Sequence, residues 1–473
     1  MNRTRAAVAF SLLVAVGVGY LALRQQSRPV APPGAAVPAV PAIDRPIPVR
    51  PDTEPYEPYK FLYTTEQSIQ VFRERCKRDP GDYASRTTLG ALFLRLARET
   101  GDGANVDRAA EQFDDALKLF DKYGPAKVGR IHVMHAKHRF ADAKAAVEAL
   151  LKDDPDDAEL RVLLFDANLE LGNYDAVEPI LAKLEKDLTN PMPPSLMARR
   201  ARLLELRGDP EGAISLLGRA READREAEAM RVSLAWYSSR IAEVALSQGK
   251  LDAAQSAIES AIRDNPGSPA QKVILARVRF AQGKPKEAAA ILDELVKADR
   301  DIEAFVAKAG TAPSELKSLA SSQNSDTYLL LGDALAAAGD PAKAKDAYAM
   351  ADRKIDRETP VAVRELVLNY CDRNHRLPFA LDLAAKEAKT RRDVESCDTL
   401  AWALFKNGRL SEADAAAKDA LRLGTKDALF HYHAGAIAHA RKDAARAKEH
   451  LANALRIHPH FSAAAEAKRL LAE

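Results

Sequence analysis

Cysteine is nearly missing from this chain: Cys76, Cys371 and Cys397 are the only three in 473 residues. An odd, widely scattered set builds no disulfide framework, and without a C-x-x-C pair it offers no zinc site. Buried free thiols are the plain reading. Aromatic residues reach only 6%, while alanine, leucine, lysine, arginine and glutamate fill the region after residue 60, a profile of long helices and not of sheets. Neither sign of charge prevails: 70 basic residues against 68 acidic ones leave a net charge of +2. That balance gives no overall field to attract nucleic acid, so nucleic acid is not an expected partner. The H-E-x-x-H, G-x-S-x-G, P-loop and dinucleotide fingerprints are all absent, so the usual signatures of metal-assisted, acyl-transfer and nucleotide chemistry are missing.

What is present begins at the N-terminus. Arg3 and Arg5 precede an uncharged run from Ala6 to Leu23, which Arg24 closes. Eighteen helical residues span about 27 Å, against a hydrocarbon core of about 30 Å. A removable signal peptide is the rival reading, but Arg24, Gln25 and Gln26 follow the run in place of a small-x-small cleavage site. The expectation is an uncleaved anchor over 1–24, which makes this a single-pass membrane protein with most of its chain periplasmic if the source is bacterial. From Pro29 to Pro58 the sequence holds ten prolines. Proline fixes φ and removes a backbone donor, so neither helix nor sheet propagates there. The segment 25–60 reads as a spacer, with a proline-motif ligand as the alternative.

The rest repeats. Ser238-x-x-Ile241-Ala242-x-x-Ala245-x-x-x-Gly249-x-x-x-x-Ala254 returns as Lys272-x-x-Leu275-Ala276-x-x-Arg279-x-x-x-Gly283-x-x-x-x-Ala288, an offset of 34 residues. The pattern recurs at Leu331-Gly332 with Gly339 and Ala344, and at Leu400-Ala401 with Gly408 and Ala413. Small residues such as Gly90, Ala201, Ala242, Gly332 and Gly435 allow close helix approach. Gly172, Gly208, Gly249, Gly283, Gly339 and Gly408 sit where a first helix must end in a left-handed turn. Pro80, Pro155, Pro266 and Pro459 stop second helices. Large apolar residues (Phe113, Val147, Leu181, Leu217, Ile258, Leu292, Tyr348, Leu451) face the next hairpin. No hairpin buries that face alone, so stacking must supply the core.

In this register the chain resembles the tetratricopeptide repeat family over roughly residues 61–472. The resemblance implies an all-α fold, a right-handed superhelical solenoid of about ten helix-turn-helix repeats over 61–473. Repeats start near Tyr83, Gly124, Ala158, Pro194, Ala235, Pro269, Ser325, Val361, Val394 and Ala428. A half-unit at Glu66–Asp79 precedes them and a helix at Ser462–Ala472 caps them. Glu99–Val106 reads as an insertion lengthening a turn. A second insertion, near 302–324, reads as a packed helical pair from Ile302, Phe305, Val306, Leu316 and Leu319, or as a loop over the groove.

The resemblance also implies that first helices line a concave groove that binds protein or peptide partners. The candidate groove residues are Asp166, Arg202, Glu205, Glu243, Arg277, Trp402, Phe405 and Tyr432. Trp402 and Tyr432 would equally serve to close the stack. The set of lysines, arginines and asparagines with which some relatives clamp chaperone tails is not found. His132, His135 and His138 share ligand-like spacing but gain no acidic or cysteine partner by spacing. The expectation is a membrane-tethered scaffold without enzymatic activity or cofactor. A self-associating envelope subunit and a metal-binding protein are the alternatives.

Overall fold

The computed structural model describes residues 64–187, 192–227, 230–309, 325–357 and 363–473. The expected anchor and proline-rich spacer, and the stretch 310–324, lie outside the described residues. Among the described residues there are 22 helices and no strand, and no helix is long and apolar enough to cross a membrane.

A single helix, α1 (Thr65–Arg78), precedes ten hairpins. The first four are α2 and α3 (Tyr83–Thr100, Ala104–Leu119), α4 and α5 (Gly124–Ala136, Phe140–Leu150), α6 and α7 (Ala158–Leu171, Tyr174–Asp187), and α8 and α9 (Pro194–Leu206, Pro210–Glu226). The next three are α10 and α11 (Arg231–Ser247, Leu251–Asp264), α12 and α13 (Pro269–Ala281, Pro285–Ala309), and α14 and α15 (Ser325–Ala337, Pro341–Arg357). The last are α16 and α17 (Val363–Asp372, Leu377–Thr390), α18 and α19 (Val394–Lys406, Leu410–Leu421), and α20 and α21 (Ala428–Ala440, Ala444–Ile457). The helix α22 (Ala464–Ala472) covers the end.

Local chemistry sets the starts and stops. The side chains of Asp82, Asp157, Asp209, Asp393, Asp427 and Asp443 each accept a backbone N–H of the helix they precede, satisfying donors that the first turn leaves open. The six turn glycines all have positive φ. In the hairpins that lack one, His138, Asn374 and Lys442 take the left-handed conformation instead. Burial separates the two helices of each hairpin into layers: ten of the 14 residues of α6 are buried, but only three of the 14 of α11. First helices therefore form the inner layer, and second helices contribute one apolar stripe each.

The small residues act as expected. A Cβ at Gly90 would lie 2.8 Å from the Phe113 ring, and one at Gly435 would lie 2.8 Å from Leu451. The Tyr348 ring fills the space over Gly332 of its own hairpin, while the Phe113 ring also fills that over Gly129, so this one side chain of a second helix bridges neighbouring hairpins. One expectation is corrected. The residues around Glu99–Val106 lengthen α2 to 18 residues and leave only 101–103 as turn, because α2 runs on to Thr100 before Gly101 turns left-handed. Residues 302–309 of the second insertion continue α13, 25 residues long, and the rest of it, with Leu316 and Leu319, lies outside the described residues. The stack is unbroken across it: Leu292 and Val296 share a core with Tyr328, Leu329 and Leu331.

The stack also closes on itself. Intra-hairpin turns after α6, α8 and α10 meet the connections that precede α18 and α20 and follow α21. The Arg392 N–H donates to the Leu171 carbonyl at 3.0 Å, and the Val394 N–H to the Tyr174 hydroxyl at 3.1 Å. Thr425 Oγ1 donates to the Leu206 carbonyl at 2.5 Å, and Gln248 Nε2 to the Lys426 carbonyl at 2.8 Å. Gly172 and Gly208 are tightly placed here: a Cβ would strike the Arg392–Asp393 backbone at the first and the Gly424 carbonyl at the second. Gly408 has the same positive φ with open space around it. Gly408→Ala is therefore expected to cost about 1 kcal/mol of stability through the backbone alone. Gly172→Ala and Gly208→Ala should lose a further ~1–3 kcal/mol from overpacking. Urea unfolding of the three variants checks this, and equal losses would mean that these turns do not meet in solution.

Candidate functional site

The inner side of the first helices carries most of the candidate residues, and on it polar side chains meet about one repeat apart. Arg199 of α8 grips Asp166 of α6 with two hydrogen bonds, Nε to Oδ1 at 2.9 Å and Nη2 to Oδ2 at 2.5 Å, across 33 residues. Arg240 of α10 donates to Glu205 of α8 at 2.8 Å across 35 residues and to Glu243 at 2.6 Å. Asn369 of α16 donates to Asp333 of α14 at 3.1 Å. Arg364 of α16 donates to Asp398 of α18 at 3.0 Å across 34 residues, and His433 of α20 meets the other oxygen of Asp398 at 2.8 Å. The face is the inside of the curve: Arg277 of α12 reaches Glu365 of α16 at 3.8 Å, past α14. Helices two repeats apart approach each other only on a concave side.

Arg202 links distant repeats. It pairs with Glu205 at 2.8 Å and, across 193 residues, with Glu395 of α18 at 3.1 Å. Burial works against its charge, but Glu205, Glu395 and Glu170 outweigh burial and hold its pKa above the ordinary arginine value. Beside it Arg391 pairs with Glu170 at 3.0 Å, Asp393 at 3.2 Å and Glu387 at 3.5 Å. Burial raises the Asp166 carboxyl despite Arg199. At Asp398 burial also opposes ionisation, but His433 and Arg364 together prevail and lower its pKa.

The structure thus joins Arg202, Glu205 and Glu243 in one network with Arg240 and Glu395, and gives Asp166 separately to Arg199. The aromatic candidates form a separate group. Trp402 is 3% exposed, donates from its indole to Asp372 at 2.8 Å, and stacks on Phe405 at 5.0 Å and His433 at 4.2 Å. Tyr432, 7% exposed, packs against Trp402 and Phe461. Of these only Phe405 is more than marginally exposed. Sequence reasoning missed Arg199, Arg240, Arg364, Glu395 and Asp398. Opposite charges recurring 33–35 residues apart were the available signal.

The family model described as tetratricopeptide repeat matches residues 134–200 and 245–309. Over these two stretches the chain is similar to tetratricopeptide repeats. Among curated proteins none matches. Solved structures with similar coordinates include yeast Tom70, at 13% identity over 86% of this chain and 91% of that one, with a TM-score of 0.35. The human IFIT1 dimer with PPP-AAAA is similar at 15% identity over 75% and 77%, with a TM-score of 0.44. A tetratricopeptide repeat protein from Parabacteroides merdae is similar at 16% identity over 55% and 91%, with a TM-score of 0.36.

The histidines of α4 and of the turn after it are set apart by burial. No group of three His, Cys, Asp or Glu among the described residues is placed to hold a metal ion. The cysteines are free and buried, and burial pushes the Cys371 thiol up to about 12. Burial, reinforced by Arg98 and Arg199, lowers His132 to about 4. Burial lowers His135 to about 3, with His132 and Arg199 adding to it. Burial and the Arg391 charge lower His138 to about 3. Unfolded imidazoles titrate near ~6.5, so below that pH the unfolded chain binds more protons than the folded one. Stability is then full above ~6.5 and is lost as pH falls toward 4, at up to about 1.4 kcal/mol per pH unit for each imidazole. Urea midpoints at pH 7, 6 and 5 should fall steeply, and His135→Gln should flatten the slope. A midpoint that did not move with pH would contradict the burial of these rings.

Proposed function

We propose that the chain is a membrane-tethered scaffold, a right-handed tetratricopeptide solenoid that holds segments of other proteins. An anchor at 1–24 and a proline-rich spacer at 25–60 would carry it off the membrane surface. No catalytic step, cofactor or nucleic-acid partner is part of this reading. The observation that carries it is the use of the chain: the described residues are consumed by stacked hairpins and their turns. What such a molecule offers is a long, preformed surface and not an assembled nucleophile and base. Support for the tether is the uncharged run of Ala6–Leu23 between Arg5 and Arg24.

The inner face is the surface with the most varied chemistry, and recognition over it would sum several moderate contacts. A photo-crosslinking residue at Phe280, half-buried on the first helix α12, in the full chain in membranes, is expected to give a discrete adduct with a second protein. The same residue at Lys118, exposed on a second helix, should give none. Adducts of two copies of this chain alone would sink the scaffold reading in favour of self-association. Alkaline carbonate should leave the full chain in the membrane pellet, and release into the wash would refute the tether.

A further inference from the structure

The inner-face pairs leave one position open. Counting by repeat, Arg98 of α2, His132 of α4, Asp166 of α6 and Arg199 of α8 occupy successive steps of 34, 34 and 33 residues. Asp166, the acid that would serve His132, is taken at both oxygens by Arg199. Glu99, the acid nearest Arg98 in sequence, is held by Arg95 at 2.8 Å and Thr65 at 3.0 Å. Arg98 is half-buried, and its one hydrogen bond is a long one, 3.5 Å from Nε to the Leu94 carbonyl. No acid among the described residues stands within ion-pair distance of it.

The imidazoles beside it are also unmet. Nδ1 of His132 and both ring nitrogens of His135 are buried without a hydrogen-bond partner, and His135 is 2% exposed. The Leu163 backbone lies near enough to favour its proton weakly, yet neither nitrogen reaches bonding geometry. Unpaired buried donors and acceptors cost about 1–3 kcal/mol each, so such a group marks a place built for something else. The local field says what. Arg98 and Arg199 both act on His132, and Arg199 acts on His135. The Arg98 cation, which no acid neutralises, opposes a metal ion, and with the unmet imidazoles beside it suits an anion.

We propose that the inner face between α2 and α4 binds a compact oxyanion, a carboxylate or phosphate group, through Arg98, His132 and His135. The anion would accept from the Arg98 guanidinium and from an imidazole N–H of each histidine. Burial, with the arginine charges adding to it, keeps these rings neutral; an anion supplies the counter-charge that burial denies them, so binding draws protons onto them. A protonated imidazole donates from both nitrogens. The remaining ionisable groups around the site are Arg95 and Glu99 on α2, Asp166 on α6 and Arg391 ahead of α18, all already in ion pairs, and the neutral His138 in the turn after α4. The site deepens the scaffold reading by naming the chemistry a partner would present, and rests on it only for the source of the anion.

Isothermal titration of the full chain in detergent with inorganic phosphate, and separately with acetate, tests the site without any partner. Binding is expected to tighten by up to about tenfold per pH unit below pH 7 for each proton taken up. Repeating the titration in buffers of different ionisation heat should register that uptake. Binding of both anions, or of one alone, supports the site and says whether it suits carboxylate or phosphate. Arg98→Gln should weaken binding at least tenfold while leaving thermal stability unchanged or raised, because it removes a cation that has no acid. His135→Gln should lower proton uptake to the share taken by His132. Lys118→Gln should change neither. The proposal is overturned if neither anion binds at millimolar concentration, if binding releases no buffer-dependent heat, or if Arg98→Gln binds as the unaltered chain does. A positive titration with no crosslinked partner would leave the site standing and count against the scaffold.

Discussion

A two-helix hairpin has two faces to bury and only itself to bury them with. One face closes inside the hairpin; the other stays open until a neighbour covers it. Every feature of the repeat answers that need. Gly90 and Gly129 lie against one Phe113 ring, so a single side chain closes its own hairpin and seats the next. Leu181, Ile258, Leu292 and Leu451 are each fully buried in the same role. Removing such a side chain typically costs ~2–5 kcal/mol, and in a stack that loss falls on two hairpins at once. The half-unit α1 and the helix α22 exist for the same reason: each covers an end face that would otherwise remain open.

Stacking alone would give a spring of undefined pitch, and the inner face constrains it. Ion pairs in a buried setting add little net stability, because desolvation offsets attraction. The raised carboxyl of Asp166 records that cost. What these pairs add is register. Arg199 reaches both oxygens of Asp166 only at one angle between neighbouring hairpins. The Arg202–Glu395 pair then ties helices ten apart in the count. The three turn-to-turn meetings at Gly172, Gly208 and Gly249 lie on the edges of the same curve, where a small change of twist per repeat would pull all of them apart.

This division explains what the sequence made legible. Helix starts at Tyr83, Gly124, Ala158, Pro194, Pro269, Ser325, Val394 and Ala428 agree with the reading of the repeat, because caps, left-handed glycines and small residues act within one hairpin. The α10 start at Arg231, ahead of the expected Ala235, came from apolar residues that extend the helix without a glycine or proline to mark its beginning. The closure of the curve was not legible. Contacts such as Thr425 to Leu206, 219 residues apart, follow from twist accumulated over several repeats, and no local pattern carries that sum. Trp402 illustrates the same limit at the level of a site. Its place on a first helix was readable, but its indole bond to Asp372 and its stacking on His433 depend on the neighbouring hairpins.

Closure also narrows how such a molecule would meet a partner. Widening the middle of the curve means separating Arg202 from Glu395 and Arg391 from Glu170, leaving four charges in a partly desolvated space. Breaking one buried pair already costs ~3–5 kcal/mol, a large share of the stability of a typical domain. A partner that entered there would have to supply matching charges for all of them. The stretch between α2 and α4 asks far less, because its arginine and imidazoles hold no internal partner that must first be displaced. On physical grounds, then, the place where the inner face is least satisfied by itself is also where a foreign group gains most by arriving.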